Sequence, residues 1–247
     1  MAGPLQAVTF DFWNTLVRED TGSARVRRVD AWLGLLEGEG AALERDALHA
    51  AFAENWDVFQ RHWKDNLAYD AVDAVNFVLG RLALDPPSTL RDELVAALTD
   101  PRPEHDPALT DNVAACLARL KERGVRIGII CDVGLTPSRT LRRFLDGHGV
   151  LGHFDHWSFS DEVGTFKPDP VIFRHAMAGL GVDDPATMAH IGDLRRTDVL
   201  GSNAMGMTSV RYAGVFDDEA DPLLGIAGEA DHTIADHADL PEVLGLA

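Results

Sequence analysis

The chain begins with a strand that has no early partner. Leu5–Phe10 is a short, mostly apolar run ending at Asp11, which reads as a buried strand with a polar residue at its carboxyl end. From Val17 to Glu104 the texture is helical. Ala31, Trp32, Leu33, Leu35 and Leu36, then Leu43, Ala47, Leu48, Ala51 and Phe52, then Val72, Val75, Phe77, Val78 and Leu82 recur at helical spacing, with no convincing strand between them. Pro86-Pro87 and the cluster Pro101, Pro103, Pro107 punctuate the end of this block as a linker does.

Beyond Pro107 the pattern alternates. Asn112–Arg123 predicts an amphipathic helix closed by Gly124, and Val125–Cys131 a strand. Helix over Pro137–Leu145, strand over Trp157–Phe159, helix over Pro168–Leu180, strand over Met188–Ile191, helix over Asp198–Met205 and strand over Thr208–Tyr212 follow. His232–Ile234 reads as a last strand, with a short helix after Leu240. Such alternation implies a parallel sheet with helices on both faces. The expected fold is α/β: a Rossmann-like parallel-sheet core made of residues 1–16 plus 107–247, with an all-α cap inserted over 17–106. There is no internal repeat and no low-complexity segment.

Composition narrows the function. The 247 residues are 46% hydrophobic and 25% charged, which suits a folded core rather than disorder. No stretch approaches the roughly 20 apolar residues of a membrane helix, and Met1–Phe10 lacks the basic-then-apolar pattern of a secretory signal. Two cysteines, Cys116 and Cys131, are too few for a disulfide framework, so a reducing cytoplasm is expected. A formal charge of −18 argues against general nucleic-acid binding and requires that any small anion be met in a locally positive pocket. Lysine is scarce, with only Lys64, Lys121 and Lys167. The oligomeric state is not legible.

Ligands of open α/β sheets sit at the carboxyl ends of the strands. Four polar clusters fall there: Asp11 to Thr15, Cys131-Asp132, Lys167, and Asp193 with Asp198. Three carboxylates and a lysine on one edge are costly to bury unless a cation and a substrate share the site. Hard oxygen ligands suit Mg²⁺, and nothing resembles a zinc set of His and Cys.

These clusters, in this order, resemble the haloacid dehalogenase-like superfamily of hydrolases. FDFWNTL at 10–16 matches its first motif, GIICD at 128–132 lies where the second is usual, FKPDPVIF at 166–173 matches the third, and HIGDLRRTD at 190–198 the acidic fourth. The helical insertion sits where that family carries its small α-helical cap. The resemblance implies a Mg²⁺-dependent hydrolase of a small phosphorylated metabolite, an ester or anhydride, acting through an aspartyl-phosphate intermediate on Asp11. It implies Mg²⁺ held by Asp11, the backbone carbonyl of Trp13 and Asp193, with Asp198 a further ligand or a support behind them. Lys167 would neutralise the nucleophile and the transferring group, and Thr15 and Cys131 would bind phosphoryl oxygens.

Two departures qualify the match. Phosphatases of the family usually carry a second Asp where Trp13 stands, and indole can neither protonate a leaving group nor activate water. Losing a general acid costs roughly 10²–10⁴-fold in rate, least for substrates with good leaving groups. Dehalogenases of the family also carry an aromatic there but need no metal, whereas the acidic 192–198 stretch points back to Mg²⁺. Phosphonate-cleaving members use a cap lysine, and Lys64 reads as a surface residue. The second departure is Cys131-Asp132: the thiol is a weak donor, and Asp132 reads as a cap on the next turn. Two alternatives therefore stand beside the phosphatase: a dehalogenase-like carbon–halogen hydrolase using Asp11, and a weakly active binding protein. Lys167 is expected just before a helix, Arg195 and Arg196 in solvent-facing salt bridges, the histidines scattered, and Trp32, Trp56 and Trp63 mostly in core or cap–core packing, with one a candidate for lining the substrate pocket.

Overall fold

The computed structural model describes residues 4–19, 21–40, 43–100, 105–220, 223 and 225–246. Pro101, Pro103 and Glu104 of the expected linker, the first three residues and Ala247 lie outside them. The chain divides into two compact units, one of Met1–Glu19, Pro107–Asp132 and Arg142–Ala247, the other of Asp20–Asp106 and Val133–Leu141.

The first unit is built on a six-stranded sheet. Its strands are β1 (Ala7–Phe10), β4 (Arg126–Cys131), β5 (His156–Phe159), β6 (Met188–Gly192), β7 (Thr208–Tyr212) and β8 (His232–Ile234). Their order is β5-β4-β1-β6-β7-β8, and every pairing is parallel. β1 is central, and the strand order reverses beside it, the place where α/β sheets bind ligands. β1 and β6 are apolar almost throughout because helices cover both faces. One polar residue breaks the run in each, Thr9 on β1 and His190 on β6, register partners and both buried.

Helices α5 (Val113–Glu122), α6 (Ser138–Gly147), α7 (Ser160–Val163), α8 (Pro170–Leu180), α9 (Leu200–Met205) and α10 (Leu240–Val243) alternate with the strands. Gly124 ends the α5 segment at φ 72°, a left-handed position that favours glycine. The expectation of no strand after Val17 is corrected by β2 (Val17–Arg18), which pairs antiparallel with β3 (Ala108–Leu109). A two-residue ribbon is too short to leave a period in the sequence.

The second unit contains α1 (Thr21–Gly38), α2 (Arg45–Lys64), α3 (Ala71–Arg81) and α4 (Ser88–Thr99). Val29, Trp32, Leu33 and Leu36 of α1 pack with Leu48 and Phe52 of α2, Val75, Val78 and Leu79 of α3, and Leu90, Leu94 and Leu98 of α4. Those spacings of three and four put each set on one helix face. The Trp32 indole N–H donates to the Leu94 carbonyl at 3.2 Å, so its one polar atom is satisfied in the core. Asp70 and Asp73 cap the start of α3 reciprocally, worth about 1 kcal/mol. Leu135 packs against this same core, which is why residues 133–141 group with these helices. Trp56 is 45% exposed, with its ring 5.2 Å from that of Phe59. Among the described residues no helix is long and apolar enough to cross a membrane.

Candidate active site

Asp11 follows β1 directly. Its backbone N–H donates to the Ile191 carbonyl at 2.7 Å, which ties the start of the turn to β6. Asn14 adopts φ 56°, a left-handed conformation that asparagine tolerates better than most residues, and its amide donates to Asp193 Oδ2 at 3.3 Å. The turn after β1 thereby reaches the residue just beyond the end of β6.

Asp11, Lys167, Asp193 and Asp198 are all buried. The Lys167 ammonium donates to Asp11 Oδ1 at 2.5 Å and to Asp198 Oδ1 at 2.6 Å, one cation shared by two carboxylates. Lys167 lies just ahead of a helix, as expected, although α8 begins at Pro170 rather than Pro168, with Asp169 as its cap. Asp132 is not spent only on its own turn either: its Oδ1 accepts the Lys167 backbone N–H at 2.9 Å. Main chain and side chain of the lysine are therefore both anchored. Burial works against the charged lysine, but the surrounding acids Asp11, Asp198 and Asp132 outweigh it and hold its pKa well above the usual range.

Asp198 lies in a π-helical turn, Arg195–Val199, and its side chain does not cap α9. Oδ1 accepts from Lys167 and from His190 Nε2 at 3.0 Å; Oδ2 accepts from the Leu194 N–H at 3.1 Å and the Thr197 hydroxyl at 3.0 Å. Burial opposes its charge, yet Lys167 and His190 hold it well below the usual carboxylate range. Burial pushes the His190 pKa below its ordinary value despite that contact.

The other two carboxylates are less well compensated. Burial outweighs Lys167 at Asp11 and pushes it up to about 7, with the Asp198 charge adding to the rise. At Asp193 burial and the charges of Asp11 and Asp198 push the carboxyl well up, and Asn14 returns only one long hydrogen bond. Buried negative charge in excess, offered by hard oxygen atoms, fits a divalent cation of the Mg²⁺ kind. Among the described residues no three of His, Cys, Asp and Glu converge on one point to hold a metal alone. A cation here would take two carboxylates, Asp11 and Asp193, and complete its shell from backbone, water and substrate oxygens, as Mg²⁺ commonly does.

The remaining expected residues lie near this group. Thr15 is buried; its carbonyl accepts from the Thr110 hydroxyl at 2.5 Å and from His237 Nε2 at 2.9 Å, while its own hydroxyl has no partner among the described residues. Cys131, ending β4, is buried, and its thiol is pushed well up by burial and by the Asp11 charge. Trp13 is half-buried, edge-on to Phe12 at 5.2 Å and to Phe144 at 6.4 Å. Lys64 is exposed, as expected.

Arg195 is not a solvent-facing salt bridge. Its N–H and Nε donate to Asp218, at 2.7 Å to the carboxylate and 3.0 Å to the carbonyl, and its Nη1 donates to the Gly228 carbonyl at 3.0 Å. Arg196 is half-buried; burial lowers its pKa while the charges of Asp132 and Asp198 act against that drop. The histidines are not all scattered: His156 Nε2 lies 3.3 Å from His175 Nδ1. Sequence reasoning missed His190 and Thr9. The available signal was a polar residue inside each of two otherwise apolar strands.

Residues 5–206 match the family model described as haloacid dehalogenase-like hydrolase. Among curated relatives, the chain is 39% identical over 94 residues to the mouse (Mus musculus) haloacid dehalogenase-like hydrolase domain-containing protein 3, a match spanning 38% of this chain and 36% of that protein. It is 28% identical over 208 residues to the glyceraldehyde 3-phosphate phosphatase of Methanopyrus kandleri, spanning 84% and 83% of the two chains. Its fold matches the crystal structure of a HAD phosphatase from Thermococcus onnurineus with a TM-score of 0.64 at 23% identity, covering 98% of each chain.

Proposed function

The chain belongs to the haloacid dehalogenase-like hydrolase family, and on that premise we propose that it is a Mg²⁺-dependent phosphatase of a small phosphorylated metabolite, working through Asp11. The observation that carries this reading is the buried Lys167 bridge between Asp11 and Asp198, beside an under-compensated Asp193. The Methanopyrus kandleri relative, aligned over most of both chains, is named a phosphatase and adds support.

An Asp11 carboxylate oxygen forms a bond to phosphorus as the bond from phosphorus to the leaving oxygen breaks, and the electron pair departs with that oxygen. Water then attacks the phosphorus of the aspartyl phosphate, releasing inorganic phosphate and restoring Asp11. Lys167 offsets the negative charge of nucleophile and transferring group. Bound Mg²⁺, held by Asp11, Asp193 and the Trp13 backbone carbonyl, supplies the positive charge that lets two anions meet. Asp198, already engaged by four donors, acts as support for Lys167 rather than as a ligand. Thr15, whose buried hydroxyl lacks a partner among the described residues, and Cys131 face the phosphoryl oxygens in this reading. Substrate choice is assigned in this reading to side chains of the inserted helical segment.

Trp13 restricts the chemistry. With no carboxyl at that position, leaving groups that depart without a proton are favoured, which points to acyl or aryl phosphates. The test is a hydrolysis panel: an aryl phosphate, an acyl phosphate, several alkyl phosphates and a 2-haloacid, each with Mg²⁺, with EDTA and with Asp11→Asn. Phosphate release that needs both Mg²⁺ and Asp11, fastest for the best leaving groups, is expected. Trp13 also favours a second reading, carbon–halogen hydrolysis on Asp11; halide release unaffected by EDTA, with no phosphate release, would establish it instead. Silence across the panel with Mg²⁺ binding intact would leave a binding protein.

A further inference from the structure

Beneath the site a line of side chains runs through the buried face of the sheet to the nucleophile. Thr9 and His190 are register partners on β1 and β6, so their side chains leave the sheet on one face, side by side. The Thr9 hydroxyl lies 2.9 Å from His190 Nδ1, and His190 Nε2 lies 3.0 Å from Asp198 Oδ1, the oxygen that also accepts from Lys167 at 2.6 Å. Lys167 in turn reaches Asp11 at 2.5 Å. All five residues are buried. The Phe173 ring stands edge-on to the imidazole, 5.4 Å between centroids and 81° between planes, which restrains the ring.

From this line we propose that His190, oriented by Thr9, is a positioning residue for the phosphatase chemistry: its Nε2–H pins the Asp198 carboxylate and through it fixes Lys167 against Asp11. The inference rests on the proposed reaction. Asp198 Oδ1 also faces the Lys167 ammonium and Oδ2 faces the Leu194 N–H and the Thr197 hydroxyl, so the carboxylate is the acceptor throughout and Nε2 the donor; in the neutral ring Nδ1 then accepts from the Thr9 hydroxyl. The carboxylate, an acceptor only, thus selects the ring tautomer, and the Thr9 hydroxyl, able to donate or accept, adapts to it and holds the ring from its other side. A carboxylate held by four donors cannot pivot. With one donor removed from Oδ1, Asp198 turns toward the remaining partners and Lys167 follows it away from Asp11. A displacement on the ångström scale at reacting groups is enough to cost rate while leaving substrate binding intact.

Three variants and one spectrum test it. His190→Phe keeps the ring volume and the Phe173 contact but removes the donor. His190→Gln restores an N–H near the Nε2 position. Thr9→Val keeps shape and removes the hydroxyl. With an aryl phosphate and saturating Mg²⁺, His190→Phe is expected to lose kcat by about tenfold or more with KM unchanged, the scale of one hydrogen bond to a charged group. His190→Gln is expected to recover most of that loss, and Thr9→Val to lose severalfold. The ¹⁵N spectrum of the metal-free wild type is expected to show His190 as the Nε2–H tautomer, a readout independent of turnover. A wild type that does not hydrolyse the phosphate defeats the phosphatase reading and leaves the spectrum to judge the hydrogen-bond line. Full kcat in His190→Phe, a His190→Gln variant no better than it, or an Nδ1–H tautomer overturns the proposal. If His190→Phe does not fold, Thr9→Val, His190→Gln and the tautomer still decide.

Discussion

The Lys167 ammonium sits 2.5 Å from the Asp11 carboxylate, although 156 positions separate the two residues. Asp198 holds the same ammonium from its other side, so the lysine is the buried countercharge of two acids and, in the proposed reaction, also offsets the charge of the transferring group. Replacing it removes both roles. Lys167→Met is expected to reduce kcat/KM by about 10²–10³-fold and to destabilise the fold by about 3–5 kcal/mol, since it leaves buried carboxylates unpaired. Turnover assays and urea unfolding check the two effects separately; near-normal activity in a folded variant would remove Lys167 from the mechanism.

Asp193 is buried beside Asp11 and Asp198, and without a cation its charge is repelled by both. Asp193→Asn relieves that repulsion. The metal-free variant is expected to melt no lower than the metal-free wild type, while Mg²⁺ raises the Tm of the wild type and not of the variant. Calorimetric scans with and without Mg²⁺ check this, and an equal Mg²⁺ shift in both proteins would place the ion elsewhere.

Both cysteines are buried and free. Burial pushes the Cys116 thiol up to about 12, and burial followed by the Asp11 charge pushes Cys131 well above its ordinary value. The thiolate is the reactive form, so neither residue is expected to react with a thiol reagent in the native protein at pH 8, and both are expected to react in denaturant. Rapid native labelling of Cys131 would show that its site is open to reagent.

Asp155 is about one-third exposed and accepts from the Lys121 ammonium at 2.7 and 2.8 Å and from the Ile127 N–H at 2.8 Å. Burial acts to raise its pKa, but the lysine and backbone donors win and hold it below the ordinary value. Because the folded value is depressed, its stabilisation is present above the unfolded value of about 3.9 and is lost as pH falls through the folded one. Asp155→Ala is expected to cost about 1 kcal/mol at pH 7 after solvent screening of the pair. Urea midpoints of wild type and variant should converge as pH drops below about 3.9; a gap that persists at low pH would mean packing rather than charge.

Much of the chemistry was legible because it falls at places where the sequence changes texture. Asp11, Cys131 and Asp193 stand at or just beyond the ends of apolar runs, and Lys167 follows a phenylalanine ahead of a proline-started helix. Parallel strands buried on both faces demand such runs, and their ends show as the first polar residue. The partners of those residues were not legible in the same way. Asp132 looked like a local cap and instead holds the Lys167 backbone; Arg195 looked solvated and instead ties two loops. Residues 133–141 read as part of the core helix pattern, yet Leu135 packs with the helical unit.

Local patterning alone was sufficient for the parallel α/β sheet, the interrupting helical block and the identity of the acids and the lysine at the sheet edge. Burial periodicity and turn chemistry are short-range and leave their mark within a few residues. Tertiary structure decided which acid shares the lysine, that Asp198 is engaged by four donors while Asp193 has one, and that Thr9 faces His190. Those relationships depend on strand register and on burial by distant segments. Hydrogen-bond geometry and desolvation are properties of the assembled site, and no single stretch of chain encodes them.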